Sequence, residues 1–341
     1  MLELKDKRVF VTGGAGFIGS HIVDRLLERG NSVTVYDNLS SGYKNFIQHR
    51  LEHPKFQFIE ADLLDFDALN ASIKGSDFVF HMAANPDIRY GVKHTDWDLK
   101  QNTLTTYNVL ETMRRNQISQ ISFASTSAVL GTASEIPTPE HYGPAWPESL
   151  YGASKLACEG LISAYVHTFD FQAWIYRFSN IIGERGVTHM VLVDFIRKLT
   201  RDPSKLEILG DGRQSKPLLL VQECVDAMLF IVENSDDCLN VYNIAPDDRI
   251  SSITHLAEVI IEEMGLKDVT ITYTGGQKGW PGDVPIYQLS NQKLTHIGWR
   301  SKFKSEEALR IAVKALLETS ESKYSIPFDA EPGKYLLKQN D

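Results

Sequence analysis

The sequence has 341 residues, 43% of them hydrophobic and 23% charged, with a formal net charge of -9. That composition belongs to a globular chain long enough for one large domain or two smaller ones. An acidic total without a Lys/Arg block argues against a nucleic-acid partner, and no apolar run approaches the roughly 18 residues of a membrane helix.

Cys158, Cys224 and Cys238 are too few and too scattered for a disulfide framework or a metal cage, so no metal is expected. Cys158 and Cys224 fall in helical apolar patterns and read as buried thiols. The first fourteen residues run straight into a strand, without the basic, apolar and small-residue succession of a secretory leader. A cytoplasmic location is therefore expected.

In chain order, the first half alternates short β-rich runs with amphipathic stretches. Strands are predicted over 8–12, 32–36, 56–60, 78–81, 121–124 and 173–177. Helices are predicted over 21–28, 99–115 and 152–168. This rhythm predicts an α/β fold with a doubly wound parallel sheet of Rossmann type. After about residue 180 the connections lengthen, and Gly, Pro and Asp cluster at 210–213, 245–248 and 275–285. Helices are predicted there over 190–201, 223–233, 253–264 and 305–317. This part reads as a smaller, irregular α/β domain, followed from Glu321 by a loose tail.

The first strand and helix are joined by Gly13-Gly14-Ala15-Gly16-Phe17-Ile18-Gly19, which contains both G-x-x-G-x-x-G and G-x-G-x-x-G. A turn from strand to helix needs residues without Cβ. The helix N-terminus then offers free N–H groups and a positive dipole end to a pyrophosphate. The next strand ends in Asp37-Asn38, and an acid there accepts hydrogen bonds from the adenosine ribose. Its charge repels a 2′-phosphate, so the cofactor reads as NAD rather than NADP. Asp62, at the third strand end, either touches adenine or is a turn acid.

Tyr151 and Lys155 stand four apart at the start of a predicted helix and so share a face. Ser125-Thr126-Ser127 closes the strand upstream. For Tyr151 to act as a base near neutrality, its anion needs about 4 kcal/mol of stabilisation. A solvated lysine supplies well under about 1 kcal/mol. The pair therefore requires a water-poor site and a second positive charge, which an oxidised nicotinamide provides. A Thr126 hydroxyl can bind the same substrate oxygen.

Together these residues resemble the extended short-chain dehydrogenase/reductases, in the NAD-dependent nucleotide-sugar epimerase/dehydratase branch around UDP-glucose 4-epimerase. The likeness covers nearly the whole chain: residues 12–19, Asp37-Asn38, Asp62, 81–84, Asn102, 125–131, 151–155, 177–180, 210–214 and 282–285. It implies an NAD-binding Rossmann domain over 1–180, to which about 216–240 returns. The discontinuous remainder, 181–341, is implied to bind a nucleotide sugar, most simply a UDP-sugar. It also implies a homodimer paired through 99–115 and 152–168.

By the resemblance, NAD is held by Gly13, Gly16, Phe17, Ile18, Gly19, Asp37, Asn38, Asp62, Leu63, Ala83, Ala84, Asn102, Tyr151 and Lys155. Tyr151 takes the sugar 4-hydroxyl proton, Thr126 bridges that oxygen with Ser125 or Ser127 nearby, and Lys155 holds the nicotinamide ribose. Asn180 is implied to meet the diphosphate, Arg185 the sugar or phosphate, and Tyr287 to set pocket size.

The sequence departs from the family at several of these places. Dehydratases carry Asp-Glu after the catalytic Thr; here Ser127 and Ala128 stand there, which disfavours 4,6-dehydration. Lys216-Pro217-Leu218 replaces R-D-[FY], so Lys216 offers a phosphate a point charge rather than a fork. The arginine before Gly282-Asp283 is missing, with Lys278 the closest cation, and Pro86 stands where many epimerases have Lys. Leu130 stands for the usual Tyr. Trp280 either stacks on the base or caps the smaller domain. His81 reads as a packed histidine, and Arg89 as a solvated loop residue.

The expected function is a nucleotide-sugar 4-epimerase acting on a UDP-hexose or UDP-hexuronate. Rivals are another nucleotide-sugar oxidoreductase, decarboxylase or epimerase on the same scaffold, and a catalytically silent NAD-binding protein. Intact Thr126, Tyr151 and Lys155 argue against the last.

Overall fold

The computed structural model describes residues 2–187, 190–280 and 282–322. The first half runs β1 (Arg8–Thr12), α1 (Phe17–Glu28), β2 (Ser32–Asp37), β3 (Phe56–Glu60) and α2 (Phe66–Ser72). It continues with β4 (Phe78–His81), α3 (Thr105–Arg115), β5 (Gln120–Thr126), α4 (Leu150–Phe169) and β6 (Gln172–Phe178). The second half runs β7 (Asn180–Ile182), α5 (Val191–Arg201), β8 (Lys205–Ile208), β9 (Leu218–Leu220) and α6 (Val221–Asn234). It closes with β10 (Leu239–Ile244), α7 (Ile253–Glu263), β11 (Thr270–Tyr273), α8 (Gln292–His296) and α9 (Ser305–Ser322).

Seven strands form one parallel sheet in the order β10-β6-β5-β4-β1-β2-β3, the predicted Rossmann-type architecture. A strand covered on both faces must be apolar throughout. All four residues of β4 are buried, as are Val9 to Thr12 of β1. β3 is one edge strand; Phe56, Phe58 and Ile59 are only partly buried, and Gln57 and Glu60 are exposed. α1 and α6 cover one face over Phe78, Phe80 and Trp174. α2, α3 and α4 cover the other over Phe10, Tyr36 and Phe123.

β10 was not among the predicted strands. Asn240 and Asn243 interrupt its apolar pattern, yet both are fully buried. The Asn243 amide is spent on distant segments: its Nδ2 donates to Thr138 O at 3.0 Å and Ser290 O at 2.9 Å. The strand therefore ties the main sheet to the segments around 138 and 290 by polar contacts that hydropathy does not register.

The predicted helix over 99–115 is two elements. Residues 99–104 form a π-helical turn ahead of α3, and the turn carries Asn102 into a buried position. A separate apolar core joins α5, α7 and α9 to β8 and β9, with Leu192, Leu206, Leu256 and Leu309 at its centre. Two short parallel pairs, β7 with β9 and β8 with β11, complete this part. The tail expected from Glu321 lies, beyond Ser322, outside the described residues.

α4 begins where Ser149 accepts Gly152 N–H at 3.0 Å. A Cβ on Gly152 would lie 2.5 Å from Ala128 O. That close approach brings the first turn of α4 against the end of β5. One turn past Lys155, Glu159 pairs with Arg177 of β6 at 2.7 Å, both within a buried setting. Arg177 also donates to Glu140 O at 2.9 Å. Glu159→Ala strands this guanidinium and should destabilise the fold by about 3–5 kcal/mol, measured by urea unfolding.

Candidate active site

The C-terminal ends of β1, β2, β4, β5 and β6 open onto one cavity of about 670 Å3. Ligand sites in open α/β sheets form at this edge. Gly13, Gly16, Phe17, Ile18 and Gly19 line it beneath the start of α1. Gly13 has φ 68° and donates to Tyr36 O at 3.0 Å. A Cβ on Gly13 would lie 2.6 Å from Ala83 N, and one on Gly19 would overlap Gly13 O. Gly16 is the N-cap of α1 and supplies no side-chain cap, so the first-turn amides are left for a ligand.

Asp37 closes the adjoining wall. Its oxygens accept Ala15 N–H at 2.9 Å and Leu39 N–H at 2.8 Å, which leaves lone pairs for hydroxyl donors. Burial pushes this carboxyl upward while the two amides pull it down. Asn38 donates to Asp62 at 2.9 Å, and Asp62 also accepts Leu64 N–H at 2.8 Å. Leu63, Ala83 and Ala84 line the same side. The sequence reading missed the segment after β2: Tyr43 N–H binds Ala15 O at 2.9 Å, and Gly42 packs against Ala15. The glycine at 42, in a short polar turn just past the strand, was the available signal.

Opposite lie Thr126, Tyr151 and Lys155. The Thr126 hydroxyl accepts Ala128 N–H at 3.1 Å and lies beside the Tyr151 phenol. Burial pushes Tyr151 up to about 12, reinforced by Asp98 and opposed by Thr126. Lys155 is fully buried; its Nζ donates to Ala124 O at 2.8 Å and lies 4.6 Å from the Phe123 ring centroid. Burial pushes it down to about 8. Ser127, Asn180 and Tyr287 line the same stretch of the cavity, with Ser127 and the Asn180 backbone beside the Tyr287 phenol. Burial pushes Tyr287 up to about 12.

Several expected contacts are placed elsewhere. Ser125 Oγ donates to Glu159 rather than reaching Tyr151, because Glu159 faces the same strand end from α4. Asn102 lies behind the cavity wall, accepting Asn85 N–H at 2.8 Å and donating to Ser154 Oγ at 2.9 Å. Arg185 has a left-handed backbone (φ 67°) and lies outside the cavity lining, paired with Asp24 of α1 at 2.8 Å. Lys216 lines the cavity, but its Nζ binds Asp283 at 2.9 Å and Val284 O. Lys278 pairs with Glu148 at 2.8 Å. His81 is packed: its ring nitrogens meet Thr12 at 2.7 Å and Thr106 at 3.0 Å, and burial pushes it down to about 3. Among the described residues, no group of His, Cys, Asp or Glu is placed to hold a metal, and no helix is long and apolar enough to cross a membrane.

Residues 9–245 match the NAD dependent epimerase/dehydratase family. The chain belongs to this family. It is 33% identical to a putative UDP-glucose 4-epimerase of Methanocaldococcus jannaschii, over 89% of this chain and 97% of that one. A crystal structure of a UDP-galactose 4-epimerase is 37% identical with TM-score 0.81, covering 91% of this chain and 99% of that one. A Thermus thermophilus UDP-glucose 4-epimerase solved with NAD is 28% identical with TM-score 0.80, covering 91% and 99%. The chain is thus an enzyme of the NAD-dependent nucleotide-sugar epimerases and dehydratases, and its cofactor is NAD. The site fits this cofactor: the glycine turn leaves space that a Cβ would fill, under a helix N-terminus and beside Asp37.

Gly13→Ala should weaken NAD at least tenfold, about 1.4 kcal/mol, read by calorimetric titration, because the methyl group forces the turn off Ala83. Lys155 gives a pH signature. Between pH about 8 and about 10.4, the unfolded chain keeps a proton that the folded, cofactor-free chain has released. Stability from this group therefore rises with pH across that window. Urea midpoints of the cofactor-free protein should show the rise relative to Lys155→Met, which cannot titrate there.

Proposed function

We propose that the enzyme is a nucleotide-sugar 4-epimerase, acting on a UDP-hexose or UDP-hexuronate through a transient 4-keto sugar. The observation that carries this reading is that Thr126, Tyr151 and, one helical turn along, Lys155 line one cavity together with Ser127 and Ala128. Those two residues occupy the places where elimination would need an acid and a base, so oxidation at C4 is followed by return rather than by loss of water. The names of the relatives support the UDP-linked sugar.

When bound, NAD supplies a hydride acceptor for C4 and the positive charge of its oxidised ring beside the phenol. Tyr151, as phenolate, takes the 4-hydroxyl proton as the C4–H bond breaks. Thr126 holds the same oxygen and shares its hydrogen bond between phenol and sugar. Lys155 contributes a fixed positive charge at the cofactor's ribose side and is kept from solvent by its contacts to Ala124 and Phe123. Tyr151 would hold that proton and give it back to the same oxygen when the 4-keto group is reduced. Asn180 and Tyr287 bound the sugar and diphosphate side, and Lys216 lends charge there through its pair with Asp283.

The test is incubation with UDP-, dTDP-, GDP- and CDP-sugars and chromatographic separation of C4 epimers. A UDP-hexose or UDP-hexuronate should be converted with no net change in nicotinamide absorbance; a stoichiometric change would make the enzyme a net oxidoreductase instead. Tyr151→Phe should cut turnover by roughly a hundredfold to ten-thousandfold while NAD stays bound, and near-normal turnover would sink the proposed base.

A further inference from the structure

Asp98 is buried at the entrance to the π-helical turn at 99–104 and has no part in the chemistry described so far. Its Oδ1 accepts Asn85 Nδ2 at 2.9 Å and Asn102 Nδ2 at 3.2 Å. Its Oδ2 is buried and has no hydrogen-bond partner among the described residues. A Cβ on Gly91 would overlap Oδ2, so backbone presses on that oxygen where a donor would otherwise fit. Leaving a carboxylate oxygen dry and unpaired is costly, and a neutral side chain would be cheaper if only packing mattered.

The placement gives the carboxylate a use. Asn102, which holds Asp98, also donates to Ser154 Oγ at 2.9 Å, and Ser154 lies on α4 between Tyr151 and Lys155. Burial and the nearby Asp87 charge push the Asp98 carboxyl upward, Asn85, Asn102 and Lys155 pull it back down, and its charge acts on both Tyr151 and Lys155. The other groups facing them are accounted for. Thr126 comes from β5 as a neutral donor, and His81 from β4 is held neutral by burial. Cys158 on α4 is a buried thiol on Asn102 O, and Glu159 is matched by Arg177. Asp98 therefore remains as the unmatched negative charge that faces the Tyr151–Lys155 pair.

We propose that Asp98 is a positioning residue of the 4-epimerase site, on the reading given above. Its negative charge, fixed by Asn85 and Asn102, holds Tyr151 as a phenol and Lys155 as an ammonium. The phenolate then forms at a higher pH than it would without that charge, and the proton taken from the sugar is held for return. A like charge nearby disfavours ionisation of a phenol and favours that of an amine.

Asp98→Asn separates charge from tether, since the amide oxygen can still accept from Asn85 and Asn102. In the NAD-loaded enzyme, Tyr151 ionisation is read as the tyrosinate ultraviolet difference against Tyr151→Phe in the same background. It should occur about one pH unit lower in Asp98→Asn, a tenfold larger phenolate fraction at a given lower pH. Both limbs of the kcat/KM profile should move to lower pH, and Asp98→Glu should bring them back. Should the asparagine variant not fold, Asp98→Ser removes the charge together with the tether, and Tyr151 ionisation should again occur at lower pH than in the parent. Ionisation of Tyr151 at the parental pH or higher in the neutral variant overturns the proposal. The titration needs no sugar, so a failed epimerase reading would appear separately, as absent epimer with the ionisation still displaced.

Discussion

The backbone of Gly13 lies against the backbone of Ala83, with no room for a single carbon between them. That contact holds the end of β1 to the segment leaving β4. It sets the direction in which the chain turns into α1, and so where the free amides of the first helical turn point. Asp37 is fastened to the same turn through Ala15, and the 42–43 segment folds back on Ala15 from outside. The cofactor cradle is therefore a backbone object. Its side chains matter chiefly where they are absent.

A second close approach, Gly152 on Ala128, does the same for the catalytic side. It lets the first turn of α4 lie against the end of β5 and brings the Tyr151 phenol to the Thr126 hydroxyl. Once there, burial works against the chemistry. It favours the neutral forms of both Tyr151 and Lys155, whereas the proposed reaction needs a phenolate and an ammonium. In that proposal the balance is set by charges rather than by solvent: cofactor charge favours the phenolate, and the Asp98 carboxylate favours the ammonium.

Cations at the substrate side are arranged unlike those that the family resemblance implies. Lys216 is joined to Asp283, Lys278 to Glu148 and Arg185 to Asp24. Each pair also crosses between chain segments far apart in sequence. The cations expected to grip a diphosphate are thus each joined to a carboxylate, and of the three only the Lys216–Asp283 pair lines the cavity. A substrate that draws Lys216 toward a phosphate must compete with a buried carboxylate, so affinity here depends on differences between two pairings rather than on a free cation.

By itself, the sequence determined the parallel sheet, the glycine turn with Asp37, and the Tyr151–Lys155 spacing. These are local: an apolar run, a missing Cβ or an i, i+4 repeat carries its geometry with it. Tertiary structure alone decided the rest. β10 escaped notice because its buried asparagines spend their polarity on partners about 50 and 105 residues away. Ser125, Asn102 and Arg185 were assigned to ligands by type and place, but Glu159, Asn85 and Asp24 claim them in the fold. Asp98 gave no signal at all, since its meaning lies in which two side chains its charge faces. Periodicity records the direction in which a residue points, whereas a partner distant in the chain is fixed only once the elements pack.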